Sequence, residues 1–451
     1  MSNAFPQCSN SHVSTMVLTM LAYNCSVRIL ISAGEASGEM YGAQLIEALQ
    51  RRVALSVPVV TGFCPVPTGQ SSASTQAPQP DFFGAGGEGM RAAGCDIVVD
   101  AKDLAVVGIT EILSHLPKIL GLYKKLVRAA DEKRPALAVV IDAPAFNWRV
   151  ARQMRRRGIP VVYYVCPQFW AWRQGRVKLL RKYVDKALVI FPFEEKFYRD
   201  RGVDATFVGH PLADLPPPTV TREAYASQNQ LDAAKTWITL MPGSRRKEVG
   251  MNLPTILEAA HLLTEDGQEN LQLRAEYEFL LPVARTLDSS FFSQLIATST
   301  APKRSASLRE KIHLVPEALP ALFHSRAGIV ASGTATVEAA IMGTPFVMVY
   351  RVSPLTYLLG KPRVKVPFFA MVNLIAGSEI VPELVQSKFT AENIVAELKK
   401  IIPDGISRTR MIDDLTAVKT KLKHPSSVGA GEHPSETAAE IILGILRSQN
   451  L

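Results

Sequence analysis

Residues 327–351 limit the possible folds more than any other stretch. An apolar run, Ala327-Gly328-Ile329-Val330-Ala331, enters Ser332-Gly333-Thr334; a helix-forming segment continues to Gly343, and the β-branched run Phe346-Val347-Met348-Val349 closes the unit. Strand, tight turn, helix, strand is a βαβ unit, which commits the chain to an α/β fold with parallel pairing. Gly333 allows the turn, and the amides of Thr334 to Thr336 then open a helix, a natural seat for phosphate. Glu338, one turn in, either accepts the two hydroxyls of a ribose or faces water, with Ser332 and Thr334 as plain caps.

With 451 residues the chain exceeds one compact core, so two or three domains are expected. Lys and Arg outnumber Asp and Glu by 50 to 41, which favours an anionic partner, and no nucleic-acid-binding signature accompanies that excess. Five scattered cysteines without a Cys-x-x-Cys pair argue against a zinc site or a disulfide frame. The first 24 residues lack a basic start and a long apolar run, so no signal peptide is expected, and Met16 or Met20 are alternative starts. No apolar run is long enough to span a bilayer.

In chain order, Val27 to Ser32 reads as a buried strand that delivers the chain into Gly34-Glu35-Ala36-Ser37-Gly38-Glu39 and a helix to about Arg52. Glu35 and Glu39 either hold a polar substrate or cap that helix. Residues 65–80, rich in Pro, Ser, Gln and Thr, read as a flexible insertion. Between Leu104 and Val127, the apolar side chains Val106, Val107, Ile109, Ile112, Leu113, Leu116, Ile119 and Leu120 precede a cluster of Lys124, Lys125 and Arg128. Such a helix either lies at a lipid surface or docks on the sheet with a solvated basic end.

Ala136 to Ile141 is the next strand, and Asp142 stands at its carboxyl end with Pro144 shaping the turn. A carboxylate at that position either takes a proton from a substrate hydroxyl or caps a helix. Trp170, Trp172 and Arg173 after the strand 159–165 either wall a cleft for an amphiphile or pack in a core. His210 precedes the stiff Pro216-Pro217-Pro218 linker and either reaches a cleft or is structural. Beyond the linker, a strand at 236–240 runs into Gly243-Ser244-Arg245, a second candidate anion seat in which Arg245 could hold a diphosphate.

Taken together, Gly-Glu-Ala-Ser-Gly-Glu (34–39), Ile-Asp-Ala-Pro (141–144), Pro-Gln-Phe-Trp-Ala-Trp-Arg (167–173), Phe-Pro-Phe-Glu (191–194), Gly-His-Pro-Leu-Ala-Asp (209–214), Pro-Gly-Ser-Arg (242–245), Ser-Gly-Thr-Ala-Thr-Val-Glu (332–338) and Asn-Leu-Ile-Ala-Gly (373–377) resemble, in order, the lipid-A-disaccharide synthases. The resemblance implies a GT-B α/β fold: two Rossmann-like domains with a cleft between them, and C-terminal helices. It implies an N-terminal extension (1–26), an acceptor and membrane-associated domain (27–214), a UDP-sugar domain (215–390) and terminal helices (391–451).

The implied reaction joins UDP-2,3-diacylglucosamine to 2,3-diacylglucosamine 1-phosphate with inversion, giving the β-1,6-linked disaccharide phosphate and UDP. The resemblance makes Asp142 the base, places Glu338 at the uridine ribose, and makes Asn373 a residue needed for activity. Gly243, Ser244, Arg245, Ser332, Gly333, Thr334 and Thr336 complete the expected donor site, and Glu35, Ser37, Gly38, Glu39, Trp170, Trp172, Arg173 and His210 the acceptor side. No metal or other cofactor is expected; there is no Asp-x-Asp in the chain. A homodimer at the cytoplasmic face of the inner membrane, in contact with its lipids, is implied as well. The sequence departs from the family at Ala145 (usually Asp), Glu39 (usually Asp) and Val372 (usually Pro). Two rivals are another GT-B enzyme, such as a UDP-sugar epimerase or the transferase acting on lipid-linked muramyl pentapeptide, and a catalytically silent membrane-associated binding protein.

Overall fold

In the computed structural model the described residues are 27–34, 36–55, 79–104, 109–269, 276–284, 287–299, 306–360, 364, 366–425 and 433–449. They form two parallel sheets whose inner strands are apolar and almost fully buried, as expected where both faces are covered. The first has seven strands: β1 (Arg28–Ala33), β2 (Asp81–Gly86), β3 (Cys95–Asp100), β4 (Leu137–Ile141), β5 (Val161–Tyr164), β6 (Lys186–Val189) and β7 (Ala205–Phe207), in the order β3-β2-β1-β4-β5-β6-β7. The second has six: β8 (Thr236–Met241), β9 (Tyr277–Pro282), β10 (Ile312–Val315), β11 (Ala327–Ala331), β12 (Phe346–Tyr350) and β13 (Glu383–Val385), in the order β10-β9-β8-β11-β12-β13.

Each sheet reverses its direction of growth once. In the first, β1 lies between β2 and β4, with Ala33 opposite Ile141 at the ends of β1 and β4. In the second, β8 lies between β9 and β11, with Met241 opposite Val330. The crevice outside the carboxyl ends of such strand pairs is where open α/β sheets bind ligands. Both candidate sites lie at such a point.

The chain groups into two compact units, one of Met1–Phe169, Gln174–Pro211 and His424–Leu451, the other of Trp170–Arg173 and Leu212–Lys423. The terminal helices are therefore divided. Ala391–Ile401 and Ile406–Lys421 belong to the second unit, whereas Pro434–Ser448 belongs to the first, where Arg51 and Arg52 pair with Glu436 at 2.8 and 3.0 Å. Helices Ile109–Lys133, Pro144–Arg156 and Val177–Tyr183 share the first unit's core through Leu126, Phe146, Val150, Met154 and Leu180. Among the described residues no helix is long and apolar enough to cross a membrane.

Candidate active site

At the first reversal, β1 ends at Ala33 and leads into Gly34, and β4 ends at Ile141 and leads into Asp142. A Cβ on Gly34 would lie 2.8 Å from that of Ala143, and one on Gly38 would lie 3.8 Å from that of Asp142. The two turns pack so closely that only glycine fits at 34. Asp142 and Ala143 both adopt left-handed backbone, φ 46° and 44°, a conformation costing non-glycine residues about 1 kcal/mol or more each. Half-buried Asp142 thus sits in a strained turn directly after β4.

A buried amide braces this turn. Asn147 Nδ2 donates to the carbonyls of Ile141 (2.8 Å), Asp142 (2.9 Å) and Ser32 (3.1 Å), while Ser32 Oγ donates to Asn147 Oδ1 at 2.7 Å. The Tyr163 hydroxyl, from β5, also donates to the Asp142 carbonyl, at 2.8 Å. Burial raises the Tyr163 phenol well above its usual range, with smaller contributions from Cys166 and Asp142, so it stays a donor.

The acceptor-side residues divide. Glu39 accepts the Gly89 N–H at 2.7 Å, and a Cβ on Gly87 would meet its carboxylate at 2.5 Å; it caps the helix Glu88–Ala92. Trp170 is buried, whereas Trp172 is 48% exposed with Arg173 stacked 3.7 Å from its ring centre. His210 is buried against Phe191, ring centres 5.2 Å apart, and burial holds its pKa at about 3. Glu35, Val106 and Val107 lie outside the described residues, as do the side chains of Ser37, Ile109, Ile112, Leu113 and Leu116. Ile119 is half-buried and Leu120 is exposed.

At the second reversal the turn after β8 closes on itself. Gly243 has φ 123°, a Cβ there would collide with the Glu248 carboxyl carbon at 2.3 Å, and the Ser244 N–H donates to Glu248 at 3.3 Å. Glu248 thus caps the helix Arg246–Glu269, while Ser244 and Arg245 remain exposed at the rim. Burial raises the Glu248 carboxyl, and the Ser244 amide, the Arg245 charge and the Arg245 amide work against that rise.

The turn after β11 is open instead. Gly333 has φ 137° and nothing within 4 Å of where a Cβ would be, and it begins the helix Thr334–Met342. Thr334 is exposed, whereas buried Thr336 turns its hydroxyl back to the Gly333 carbonyl at 2.8 Å. Glu338 is half-buried, and desolvation alone raises its carboxyl. Ser332 Oγ donates to the Phe369 carbonyl at 2.8 Å.

Asn373 stands behind this turn, fully buried, with its amide engaged on both sides. Nδ2 donates to the Val381 carbonyl and to Glu383, each at 2.9 Å, and Oδ1 accepts the N–H groups of Ile380 (2.9 Å) and Val381 (3.0 Å). Glu383 also accepts the N–H groups of Phe369 and Ala370, both at 2.9 Å. Asn373 therefore organises the loop that receives the Ser332 hydroxyl. Sequence reading missed Ser32, Asn147, Tyr163, Glu248 and Glu383; of these only Asn147, a lone amide between Phe146 and Trp148, carried a local signal.

Two parallel Rossmann-like sheets, each with one strand reversal, define a GT-B fold, and solved structures agree. The kitacinnamycin glycotransferase superimposes with a TM-score of 0.57 at 14% identity, covering 94% of this chain and 100% of that one. A UDP-GlcNAc 2-epimerase from Neisseria meningitidis, bound to UDP-GlcNAc, gives 0.54 at 11% identity, covering 94% and 100%. Residues 29–429 match the lipid-A-disaccharide synthetase family. The lipid-A-disaccharide synthase of Koribacter versatilis is 47% identical over 426 residues, 94% of this chain and 100% of the relative, and that of Acidobacterium capsulatum 45% over 404 residues, 88% and 92%. The chain belongs to the lipid-A-disaccharide synthetase family, glycosyltransferases of lipid A biosynthesis.

Proposed function

We propose that the protein condenses UDP-2,3-diacylglucosamine with 2,3-diacylglucosamine 1-phosphate, with inversion and without a metal. The acceptor 6-hydroxyl attacks the anomeric carbon and its proton passes to the Asp142 carboxylate. The bond from that carbon to the diphosphate breaks, UDP leaves, and a β-1,6 linkage remains. The observation that carries this reading is Asp142 itself, a half-buried carboxylate in a pinned left-handed turn at a strand reversal.

On the donor side, the open start of the helix Thr334–Met342 and exposed Arg245 take the diphosphate, with Ser332, Gly333, Thr334 and Thr336 forming the turn. Burial raises the Glu338 carboxyl, and ribose hydroxyls would give it donors that favour its charged form. Peripheral attachment to the inner membrane is part of the proposal. Between Asp142 and Asp185 lie ten Arg and Lys and no Asp or Glu, and Lys124, Lys125 and Arg128 of the neighbouring helix are exposed. Such a charge balance suits anionic lipids and phosphorylated substrates. We also place the working enzyme as a homodimer in the cytoplasm.

UDP release in detergent micelles tests the reaction, with both sugars, with each alone, and in excess EDTA. Release should need both sugars, ignore EDTA, and fall roughly 10²–10⁴-fold in Asp142→Ala while UDP binding persists. Release from the donor alone would indicate hydrolysis or another acceptor.

A further inference from the structure

We propose that Tyr163 and Asn147 are positioning residues that aim the Asp142 carboxylate by holding its own main-chain carbonyl; the inference rests on reading Asp142 as the base. The direction of a short side chain follows its backbone, and here that backbone is in a conformation L-residues rarely choose. Two successive left-handed residues, Asp142 and Ala143, persist only if their surroundings fix them.

What fixes them converges on one oxygen. The Asp142 carbonyl accepts the Tyr163 hydroxyl at 2.8 Å from β5 and the Asn147 amide at 2.9 Å from the first turn of the following helix. Neither donor can easily turn away. Tyr163 is fully buried, and Asn147, also fully buried, is oriented by the Ser32 hydroxyl on its oxygen and by the Ile141 and Ser32 carbonyls on its nitrogen. Removing a donor lets the 142–143 peptide rotate toward an ordinary conformation and carries the carboxylate with it. Misplacement of this size lowers a proton-transfer rate without touching substrate binding.

The experiment is a double-mutant cycle on Tyr163→Phe and Asp142→Ala, with kcat, KM for each sugar, UDP affinity and melting temperature measured for all four proteins. Tyr163→Phe removes one oxygen and leaves the ring in the core. It should lower kcat roughly 10- to 100-fold with both KM values and UDP affinity within about twofold. In the Asp142→Ala background the same change should alter the residual rate by less than about twofold, since no carboxylate remains to be aimed. Asn147→Ser should repeat this pattern. Equal losses in both backgrounds, or unchanged kcat with a lowered melting temperature, would show a purely structural hydroxyl and overturn the proposal. Full activity in Asp142→Ala would instead remove the base reading, a result distinct from failure of the clamp.

Discussion

The two strand reversals share a topology and use carboxylates in opposite ways. At the first, half-buried Asp142 follows β4, and its carbonyl is held by Tyr163 and Asn147. At the second, the turn after β8 draws Glu248 inward onto the Ser244 amide, while the turn after β11 leaves a helix start uncovered. On the proposed reading, one crevice would offer a carboxylate to a hydroxyl proton, and the other a helix start and Arg245 to a leaving diphosphate. In the strand orders the turn after β4 corresponds to the turn after β11, and the turn after β8 to the turn after β1, so the two carboxylates stand on opposite sides of their reversals.

The largest effect that would test this contrast belongs to Asn373. Its amide joins one carbonyl, one carboxylate and two N–H donors inside the second unit, so Asn373→Ala strands several buried polar groups. Stability should fall by roughly 3 kcal/mol or more in denaturant unfolding. Lost activity at unchanged stability would instead mean that Asn373 meets the substrate directly, a role its four bonds leave no atom for.

A smaller effect separates the two turns by their glycines. Gly34→Ala sets a methyl 2.8 Å from the Ala143 Cβ and should displace the Asp142 turn, reducing kcat at least about tenfold with UDP affinity unchanged. Gly333→Ala has open space but an unfavourable φ of 137°, and should weaken UDP binding by about 1–2 kcal/mol in calorimetry. If both variants lost affinity and turnover alike, the division of labour between the reversals would fail.

The fold was legible because parallel strands buried on both faces are written as short apolar runs, Leu137 to Ile141 and Ala327 to Ala331 being the clearest, with turn chemistry directly after them. What stayed illegible is long-range. Glu39 looks like a cap for its own helix, yet its partner Gly89 is 50 residues on, and Ser32 meets Asn147 across 115 residues. Tyr163 reads as one more apolar strand residue until β5 is set beside β4 and its hydroxyl reaches the Asp142 carbonyl. His210 and Asn373 were likewise unreadable from their neighbours: only the fold reveals a ring buried against Phe191 and an amide engaged on every side.

The smallest predicted effect has an unusual sign. Burial raises the Glu338 carboxyl above its unfolded value, so between those two pKa values the folded state binds more protons than the unfolded one. The stability linked to that proton is present below the unfolded pKa and is lost as pH rises through the folded one. At neutral pH wild-type Glu338 is therefore a desolvated carboxylate that weakens the ligand-free fold, and Glu338→Gln removes it. The variant should melt slightly higher than wild type at pH 7 and no higher near pH 4, while its UDP affinity drops because the ribose hydroxyls lose a charged acceptor. Such a trade would mark Glu338 as the one carboxylate at the second reversal kept for a ligand rather than for the fold, in contrast to Glu248. Unchanged UDP affinity with the same gain in stability would leave the donor crevice without a carboxylate of its own.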